Sequence, residues 1–490
     1  MTPSTGLARQ LHHWARRAPH SLALDAIDRR GRSRSFDWQS LQVEVRKLAT
    51  WIERNVTDDQ PIVFESDNSL EDVLWMIASE LRGQVFCPID HRLDDSEKRS
   101  RREWVRGHWI DRRWTITELD GVNAPRPNAS PATDGPTNSK AELWLWTSAT
   151  SGAARAVRLC LTGLAINAAA KLSCVPQSPS DHRLVTLPLC HSYARTCDFG
   201  TWLLSGSRLT VRLGSDASLD ALRNQRFSHL NTVPSLASRL LSDVPDHLPK
   251  VLGCGGAALT ADLYNRLRAH NVDVIAGYGL TETSPVIASM TTADATDRTR
   301  DRGTPSVGRI AEIWKFRIRN GLLHVGGPCL MRGYVGQPDI ATQWRLPSSD
   351  PSCEPGFCTG DLVEIDDRGQ LRILGRLDDQ LKLPNGVMVN PSDLEASAAE
   401  QLHLSHAFFT LIDGIAQLWV VPSDAAHPLP KTAQIESCRG VGPIVIRRMP
   451  RPPDIHRGEL TLKMGWRRQA MREQVMRWSG HTPLEEDPSS

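Results

Sequence analysis

The sequence lacks a strong net charge, a long apolar run and any paired arrangement of cysteines. Its 58 Lys and Arg residues stand against 56 Asp and Glu, so the formal charge is only +2. No global field therefore draws the chain toward nucleic acid or anionic lipid. No run reaches the roughly 18 apolar residues that span a bilayer, and no apolar block of a secretion signal is present. We predict a cytoplasmic protein with no nucleic-acid partner and no transmembrane segment.

The ten cysteines are scattered, with no Cys-x-x-Cys pair. This pattern favours reduced, mostly buried thiols over a disulfide or zinc framework. The sequence also lacks internal repeats and the Gly-x-x-x-x-Gly-Lys spacing of a Walker phosphate loop. The balanced charge has one local exception, the stretch KRSRREWVRGHWIDRR at 98–113. It is predicted to be a solvated helix face, and a polyanion-binding patch is the alternative.

The length of 490 residues exceeds what one hydrophobic core supports, so at least two domains are expected. From Leu143 onward, apolar strand candidates alternate with turns and helices, which predicts an α/β fold of doubly wound sheets. Shorter strands at 321–325 and 371–374 predict a small antiparallel subdomain. The strands that follow predict a small α+β domain. We therefore predict a large N-terminal domain over residues 1–374 and a small C-terminal domain over residues 375–490.

The segment TSATSGAAR at 147–155 directly follows the apolar run LWLW. A strand that ends in hydroxyl-bearing residues, a glycine and a cation has the groups of a phosphate cradle. For this segment alone, a surface turn rich in Ser and Thr is the alternative.

A second candidate, GYGLTET at 277–283, also follows a strand candidate. Its glycines let the backbone approach a ligand, and Tyr278 offers a ring for stacking on a base. Thr281 offers a hydroxyl for phosphate, and Glu282 a carboxylate for Mg²⁺. A glycine-flanked turn capped by Thr281 would explain the glycines. It would not explain GGAA at 255–258, which ends a neighbouring strand candidate and brings its backbone to the same edge.

Eight blocks in this order resemble the adenylate-forming superfamily of acyl-CoA synthetases, nonribosomal peptide adenylation domains and luciferases. They cover roughly residues 143–468 and read TSATSGAAR, LPLCHSYAR, GCGGAAL, GYGLTETSP, VGGPCLMRGY, GFCTGDL, GRLDDQLKLPNG and ELTLKMGWRR.

The resemblance implies a site for ATP and Mg²⁺. It assigns the β- and γ-phosphates to Thr147, Ser148, Thr150, Ser151, Gly152 and Arg155, and the adenine to Gly256, Ala257, Tyr278 and Gly279. Thr281 would contact the α-phosphate, and Glu282 would hold Mg²⁺. Asp361 would accept both ribose hydroxyls, because a carboxylate offers two acceptor oxygens. Arg376 would add a second contact to ribose or phosphate.

The resemblance also implies groups for the acid and the thiol. His191 would lie near the acyl carboxylate, and Lys463 would bridge carboxylate and phosphate oxygens as charge develops. Asp378 matches the hinge between domains, and Gly386 the glycine of the thiol tunnel. The alternatives are a packed core histidine at His191, a surface lysine at Lys463, where the spacing is one residue short, and a solvated acid at Asp378.

The implied activity is attack of a carboxylate on the α-phosphorus of ATP, with release of pyrophosphate, followed by acyl transfer to coenzyme A. LPLCHSYAR and KLPNGVMVNPSDLE resemble the long-chain fatty acid-CoA ligase branch of the family more than its amino-acid-activating branch. The resemblance therefore implies a fatty or other apolar acid, and aryl and medium-chain acids remain open. The alternatives are a carrier-protein phosphopantetheine as the acceptor, a nucleotide-binding homologue with impaired catalysis, and a luciferase-like oxygenase.

The phosphate loop departs from the family pattern. Ala149 and Ala156 replace glycines, Ala154 replaces a proline and Arg155 replaces a lysine. Because alanine enters positive φ less readily than glycine, we expect a stiffer loop and slower turnover.

Overall fold

The computed structural model describes residues 6–57, 60–123, 141–147, 154–212, 214–296, 305–340, 356–383, 388–424, 428–435, 441–454, 457, 459–460 and 466–480. The helices are α1 Arg9–Arg17, α2 Trp38–Asn55, α3 Leu70–Arg82, α4 Asp95–Val105, α5 Leu161–Cys174, α6 Ser192–Ala194, α7 Thr201–Ser205, α8 Ser215–Asn224, α9 Pro234–Asp243, α10 Ala261–Ala269, α11 Thr292–Thr296, α12 Pro391–Gln401 and α13 Arg468–Trp478. Within these ranges, every helix is too short or too polar to cross a bilayer.

The strands follow the same chain order. They are β1 Leu22–Ile27, β2 Ser33–Asp37, β3 Ile62–Ser66, β4 Phe86–Asp90, β5 His108–Ile110, β6 Glu142–Trp146, β7 Ala156–Cys160, β8 His182–Val185, β9 Arg208–Val211, β10 His229–Thr232, β11 Val251–Cys254, β12 Asp273–Gly279, β13 Val286–Ser289, β14 Arg309–Ile310, β15 Lys315–Arg319, β16 Leu322–Gly326, β17 Gly333–Tyr334, β18 Phe357–Ile365, β19 Leu371–Arg376, β20 Leu381–Lys382, β21 Met388–Val389, β22 Leu404–Ile412, β23 Ile415–Pro422, β24 Thr432–Ala433 and β25 Ile444–Arg448.

The largest sheet among the described residues has nine strands, in the order β14-β13-β12-β11-β10-β8-β9-β1-β2. Its central pairs, from β12 to β1, are parallel. The pairs at its two edges are antiparallel. Because the carboxyl ends of parallel strands meet at one edge, the segments that follow β11 and β12 lie side by side there.

A second sheet has the order β17-β7-β6-β4-β3-β5 over the described residues. Strands β3 to β6 pair in parallel, as the apolar runs predict. The β6–β7 and β7–β17 pairs are antiparallel. Strand β7 was not predicted from the sequence, and the segment 147–155 joins β6 and β7 of this hairpin.

Two smaller sheets complete the predicted architecture. Strands β15, β16, β18 and β19 form an antiparallel sheet, which confirms the predicted antiparallel subdomain. Strands β22, β23, β25 and β24 form a sheet near the C-terminus, next to α12. The α/β fold class, with a large N-terminal and a small C-terminal part, is thus confirmed. The boundary predicted between residues 374 and 375 falls inside β19, and both that boundary and the hinge at Asp378 stay predictions.

Helix α2 shows how local sequence sets the boundaries of an element. The Asp37 carboxylate accepts a hydrogen bond from the Ser40 amide at 2.7 Å, and Ser40 Oγ accepts one from the Asp37 amide at 3.1 Å. This reciprocal cap satisfies amides that a helix start leaves without partners. The buried face repeats at three- and four-residue spacing, from Trp38 onward. Trp38 stacks on Trp202 of α7, with ring centroids 5.4 Å apart, in the main core.

The basic stretch at 98–113 lies on α4 and the segment after it, and its arginines engage the protein itself. The Arg101 guanidinium lies 4.8 Å from the Trp146 ring, and that of Arg102 lies 5.0 Å from the Trp109 ring. Arg112 pairs with Asp67 at 3.0 Å. These contacts favour the interpretation as a helix face over that of a polyanion-binding patch.

Strand β12 ends in a close approach that only glycine accommodates. Gly279 pairs with Val286 of β13, and a Cβ atom added to Gly279 would lie 1.6 Å from the carbonyl oxygen of Pro285. Gly277, two residues earlier, would bring its Cβ to an ordinary 3.4 Å from the nearest backbone oxygen, that of Ala288. The turn at 280–285 is thus held against the end of β12.

We expect Gly279→Ala to destabilise the protein by about 1–3 kcal/mol, the usual cost of forcing atoms into a packed site. Gly277→Ala is the matched control, and we expect its cost to stay below about 1 kcal/mol. Urea unfolding followed by circular dichroism should therefore show a lower midpoint for the Gly279 variant. Equal midpoints for the two variants would contradict the close approach.

Candidate functional site

Tyr278, Asp361 and Arg376 meet where two sheets adjoin. The Tyr278 hydroxyl at the end of β12 donates a hydrogen bond to the Asp361 carboxylate on β18. Arg376 lies opposite Asp361 in the β18–β19 pair, and its guanidinium donates to the Asp361 carboxylate at 3.4 Å and to the Thr359 carbonyl oxygen at 2.9 Å. Three residues that are distant in sequence therefore form one polar cluster.

The electrostatics of this cluster depend on burial. Burial raises the pKa of the Asp361 carboxyl, although hydrogen bonding to Tyr278 and the charge of Arg376 oppose that shift. Burial and the neighbouring Asp361 carboxylate raise the pKa of the Tyr278 hydroxyl well above its usual value. The phenol therefore stays a donor at neutral pH. Asp378 lies at the rim, with its carboxylate 3.8 Å from the Arg376 guanidinium.

The turn after β12 presents Thr281 and Glu282 next to this cluster. Tyr334 of β17 donates a hydrogen bond from its hydroxyl to the Glu282 carboxylate at 2.9 Å. The Met331 amide donates to the Glu282 carbonyl oxygen at 2.7 Å. Both the backbone and the side chain of Glu282 are thus positioned by the segment 331–334. Carboxylate and hydroxyl oxygens are ligands that Mg²⁺ prefers, so Glu282 and Thr281 fit a magnesium ion in donor type.

The base of the predicted phosphate loop is closed by its two ends. The Thr147 amide donates to the Arg155 carbonyl oxygen at 2.9 Å, and the Arg155 amide donates to Thr147 Oγ1 at 3.1 Å. The Arg155 guanidinium lies 4.1 Å from the centre of the Tyr334 ring, which places its positive charge beside the Glu282 contact. Ser148, Ala149, Thr150, Ser151 and Gly152 lie outside the described residues.

The expectation that alanine stiffens the loop does not apply at Ala156. This residue is buried in β7 and pairs with Trp146 of β6. Its backbone φ is not positive, so glycine is not needed there.

The segment that follows β11 forms the neighbouring wall. Gly256 has a φ of +79°, and both Gly256 and Ala257 are exposed at the carboxyl edge of the sheet. Since neither residue has a side chain beyond Cβ, this edge offers a flat backbone surface beside Tyr278. A planar base fits such a surface, with the Tyr278 ring next to it.

His191 lies at the start of α6, beside a buried carboxylate. Its Nε2 atom is 3.2 Å from Asp90 Oδ2 at the end of β4, and Arg92 contacts the same carboxylate at 2.7 and 2.9 Å. Burial alone would raise the pKa of Asp90, but hydrogen bonds from Arg92 and His191 hold it well below its usual range. An ionised carboxylate fixes the orientation of the imidazole. The hydroxyl of Ser192, the next residue, lies 3.4 Å from Thr281 Oγ1, so α6 borders the same site.

Asp90, Cys190 and His191 place their ligand atoms within 4.8 Å of one another, which is close enough to hold a metal ion. Both oxygens of Asp90 already accept hydrogen bonds from Arg92. Burial also raises the pKa of the Cys190 thiol well above its usual value, so the thiol stays protonated. We therefore assign no metal ion to these three residues.

The structure thus brings together the twelve predicted site residues that it describes. They are Thr147, Arg155, Gly256, Ala257, Tyr278, Gly279, Thr281, Glu282, Asp361, Arg376, Asp378 and His191. Lys463 and Gly386 lie outside the described residues. The sequence interpretation gave no role to Tyr334, Ser192 or Asp90. Tyr334 and Ser192 lie in two of the eight sequence blocks, and Asp90 ends an apolar run. Only the fold shows that Tyr334 contacts Glu282, that Ser192 contacts Thr281 and that Asp90 contacts His191.

Comparisons with known proteins agree with this geometry. Residues 99–335 match the family described as AMP-binding enzyme. Phosphinothricin tripeptide synthetase PhsC of Streptomyces viridochromogenes is 28% identical over 416 residues, which are 78% of this chain and 37% of that protein. Feruloyl-CoA synthase of an Amycolatopsis species is 23% identical over 412 residues, 78% of this chain and 80% of that protein. The chain therefore spans little more than a third of the peptide synthetase and most of the CoA synthase.

The crystal structure of ATP-bound MatB from Rhodopseudomonas palustris shares the fold. Its TM-score is 0.77 at 19% sequence identity, with 97% of this chain and 99% of that chain covered. The residues that match the AMP-binding enzyme family, 99–335, include the loop base, the Thr281–Glu282 turn and Tyr334. Residues 99–335 thus match the AMP-binding enzyme family, and the chain shares its overall fold with MatB.

Proposed function

We propose that the protein couples a carboxylic acid to the α-phosphorus of ATP, releases pyrophosphate and then transfers the acyl group from AMP to the thiol of coenzyme A. The observation that carries this proposal is the convergence of Glu282, Asp361 and Arg376 around the turn after β12. Asp361 offers two oxygens to the ribose, and Arg376 offers a cation. Thr281 and Arg155 supply further groups for the phosphates.

The first half-reaction must bring two anions together. Mg²⁺ held by Glu282 would offset phosphate charge, and Arg155 would add a cation near the same carboxylate. Lys463 is proposed to bridge the acid and the α-phosphate as negative charge develops. His191, oriented by Asp90, borders the position of the acid. The chain's own groups thus bind, orient and neutralise the reactants.

The acid and the acceptor are the finer parts of the proposal. The blocks around His191 and Gly386 favour a fatty or other apolar acid, whereas one relative is named for ferulic acid and coenzyme A. The similarity to a peptide synthetase supports a second candidate function, in which a carrier-protein phosphopantetheine accepts the acyl group. Both candidates share the adenylation step and differ only in the thiol.

A pyrophosphate-release screen over fatty, aryl and amino acids tests the adenylation step. We expect release that depends on both the acid and Mg²⁺, because Glu282 and Thr281 offer oxygens for the metal ion and the phosphates. Offering coenzyme A and a phosphopantetheinyl carrier protein in separate reactions then identifies the acceptor by the thioester formed. ATP binding without release for any acid would instead identify a nucleotide-binding protein that has lost catalysis.

Lys463→Ala should lower acyl-AMP formation by about 100-fold or more, the scale seen when one preorganised charge-stabilising group is lost. Thioester formation from supplied acyl-AMP should be largely preserved, since that step does not need the lysine at the α-phosphate. The two half-reactions are measured separately, by pyrophosphate release and by thiol consumption. Equal losses in both would mean that Lys463 does not have this role.

Tyr334→Phe tests how Glu282 is positioned. The change removes only the hydroxyl that donates to Glu282, so the concentration of Mg²⁺ for half-maximal activity should rise by about 10-fold, as for the loss of a group that orients a metal ligand. Tyr264→Phe is the control, because Tyr264 is a buried core residue of α10. An unchanged Mg²⁺ requirement in the Tyr334 variant would mean that the hydroxyl does not position Glu282 for the metal ion.

A further inference from the structure

Tyr193 of α6 fills a groove that two glycines leave at the end of β11. A Cβ atom added to Gly255 would lie 3.3 Å from the Tyr193 ring, and one added to Gly253 would lie 3.1 Å from the Tyr193 hydroxyl. Both glycines therefore face the tyrosine, as residues two apart on a strand do. The phenol takes the volume that side chains at these two positions would occupy. Tyr193 is half-buried, so it lies between the core and the open edge of the sheet.

This groove begins at the proposed site of adenylation. Ser192, the neighbour of Tyr193, places its hydroxyl 3.4 Å from Thr281 Oγ1, and His191 caps the start of the same helix. In the proposed complex, the acid carboxylate lies beside Thr281 and His191, while the base covers residues 256–257. The carbon skeleton of the acid therefore enters between α6 and β11, where the Tyr193 ring lies.

The tyrosine is anchored at both ends of its side chain. Its hydroxyl donates a hydrogen bond to Asn231 Oδ1 at 3.5 Å, and burial raises the pKa of that hydroxyl well above its usual value, so the phenol stays neutral. The backbone that carries it continues into the next helical turn. There Thr196 Oγ1 donates to the Ser284 carbonyl oxygen at 2.9 Å, and the Asn231 side-chain amide donates to the Cys197 carbonyl oxygen at 3.0 Å. These contacts fix the ring in the groove.

The groove ends just beyond the tyrosine hydroxyl. A Cβ atom on Gly253 would lie 2.0 Å from Asn231 Oδ1, and the cavity next to these two residues has room for about one water molecule. From Gly253 to Gly255 the chain rises about 6.6 Å, at about 3.3 Å per residue. The tyrosine therefore fills a length of groove that several methylene groups of an acid would occupy.

We propose that Tyr193 closes this groove and limits the protein to short acids, whose carbon skeleton ends above the ring. This inference rests on the proposed adenylation and narrows its substrate, because a long fatty tail has no room while the phenol occupies the groove. Tyr193 is a specificity-determining residue in this assignment, since it sets the length of the acid and takes no part in the attack on ATP. A tyrosine that only completed the core would leave the choice of acid unchanged.

Two series of acids that differ only in length test the assignment. Pyrophosphate release by the full-length protein is measured with straight-chain acids from acetate to dodecanoate, and with benzoates from benzoate to 4-hexylbenzoate. We expect kcat/KM to peak in the shorter half of the accepted series. Tyr193→Ala should raise the ratio of kcat/KM for the longer members to that for the shorter ones by about 10-fold or more, because one methylene group alone changes kcat/KM by about 10- to 200-fold in an apolar pocket.

Two further variants separate acid length from folding. Tyr193→Phe keeps the ring and should keep the wild-type preference. Tyr264→Ala removes a ring of the same size from the core of α10, and should lower stability without changing the preference.

The wild-type profile is itself decisive, whatever the stability of the variants. If the longer members of the accepted series are preferred, if neither series is accepted although another acid releases pyrophosphate, or if Tyr193→Ala changes the rates for all lengths equally, the assignment is wrong while the adenylation stands. If the wild-type protein releases no pyrophosphate with any acid, the proposed function falls, and this inference falls with it.

Discussion

The hydrogen bond between Tyr278 and Asp361 is the contact on which the site depends. Tyr278 ends a strand of the nine-stranded sheet, and Asp361 lies on the four-stranded antiparallel sheet. Each sheet alone presents only part of this polar cluster. Since the β18–β19 register sets Arg376 opposite Asp361, the cluster is complete once these two sheets adjoin. The buried position of Asp361 makes this contact strong, because a hydrogen bond gains strength where water is excluded.

The six-stranded sheet contributes to the same place through a different contact. Tyr334 on β17 and Arg155 beside β7 stack on each other, and the Tyr334 hydroxyl reaches the Glu282 carboxylate. A carboxylate held by a fixed donor has little freedom left to lose when it binds a cation. Three sheets therefore bring Tyr278, Asp361 and the Tyr334–Glu282 contact to one place. A substitution at a contact between two of these sheets should therefore also displace site residues on the neighbouring sheet.

The strands of this fold could be predicted from sequence because apolar runs are a local signal. The runs LWLW, HLNTV and VDVIAGYG correspond to β6, β10 and β12. Strand β7 could not be predicted in the same way, because AVRLC is short and interrupted by Arg158, and its partner β6 lies across the phosphate loop. The same limit explains the missed site residues. Tyr334 and Glu282 are 52 positions apart, and no periodicity links a tyrosine to a carboxylate at that separation.

The site residues that could be predicted are those whose role is carried by their own block. Gly279 is one of them. The strand that ends at this residue and the turn that follows it are both recognisable within a few residues of sequence. His191 was predicted as a group near the acid, but its orientation comes from Asp90, on a strand of another sheet. Chemistry could thus be assigned to residue types, whereas the contacts that orient them depend on tertiary packing.

Helix α5 holds the turn after β12 through polar side chains on its buried face. Asn167 and Lys171 lie four residues apart on its buried face. Asn167 accepts from the Val286 amide at 3.0 Å and donates to the carbonyl oxygens of Val286 and Thr283 at 2.8 and 3.2 Å, so it holds the Thr281 turn with its polar groups satisfied.

Lys171 donates a hydrogen bond to Ser289 Oγ of β13 at 2.7 Å. Burial lowers the pKa of its ammonium group, and the charge of Asp198 opposes that shift. Through Asn167 and Lys171, one buried face of α5 therefore holds both strand β13 and the turn that precedes it.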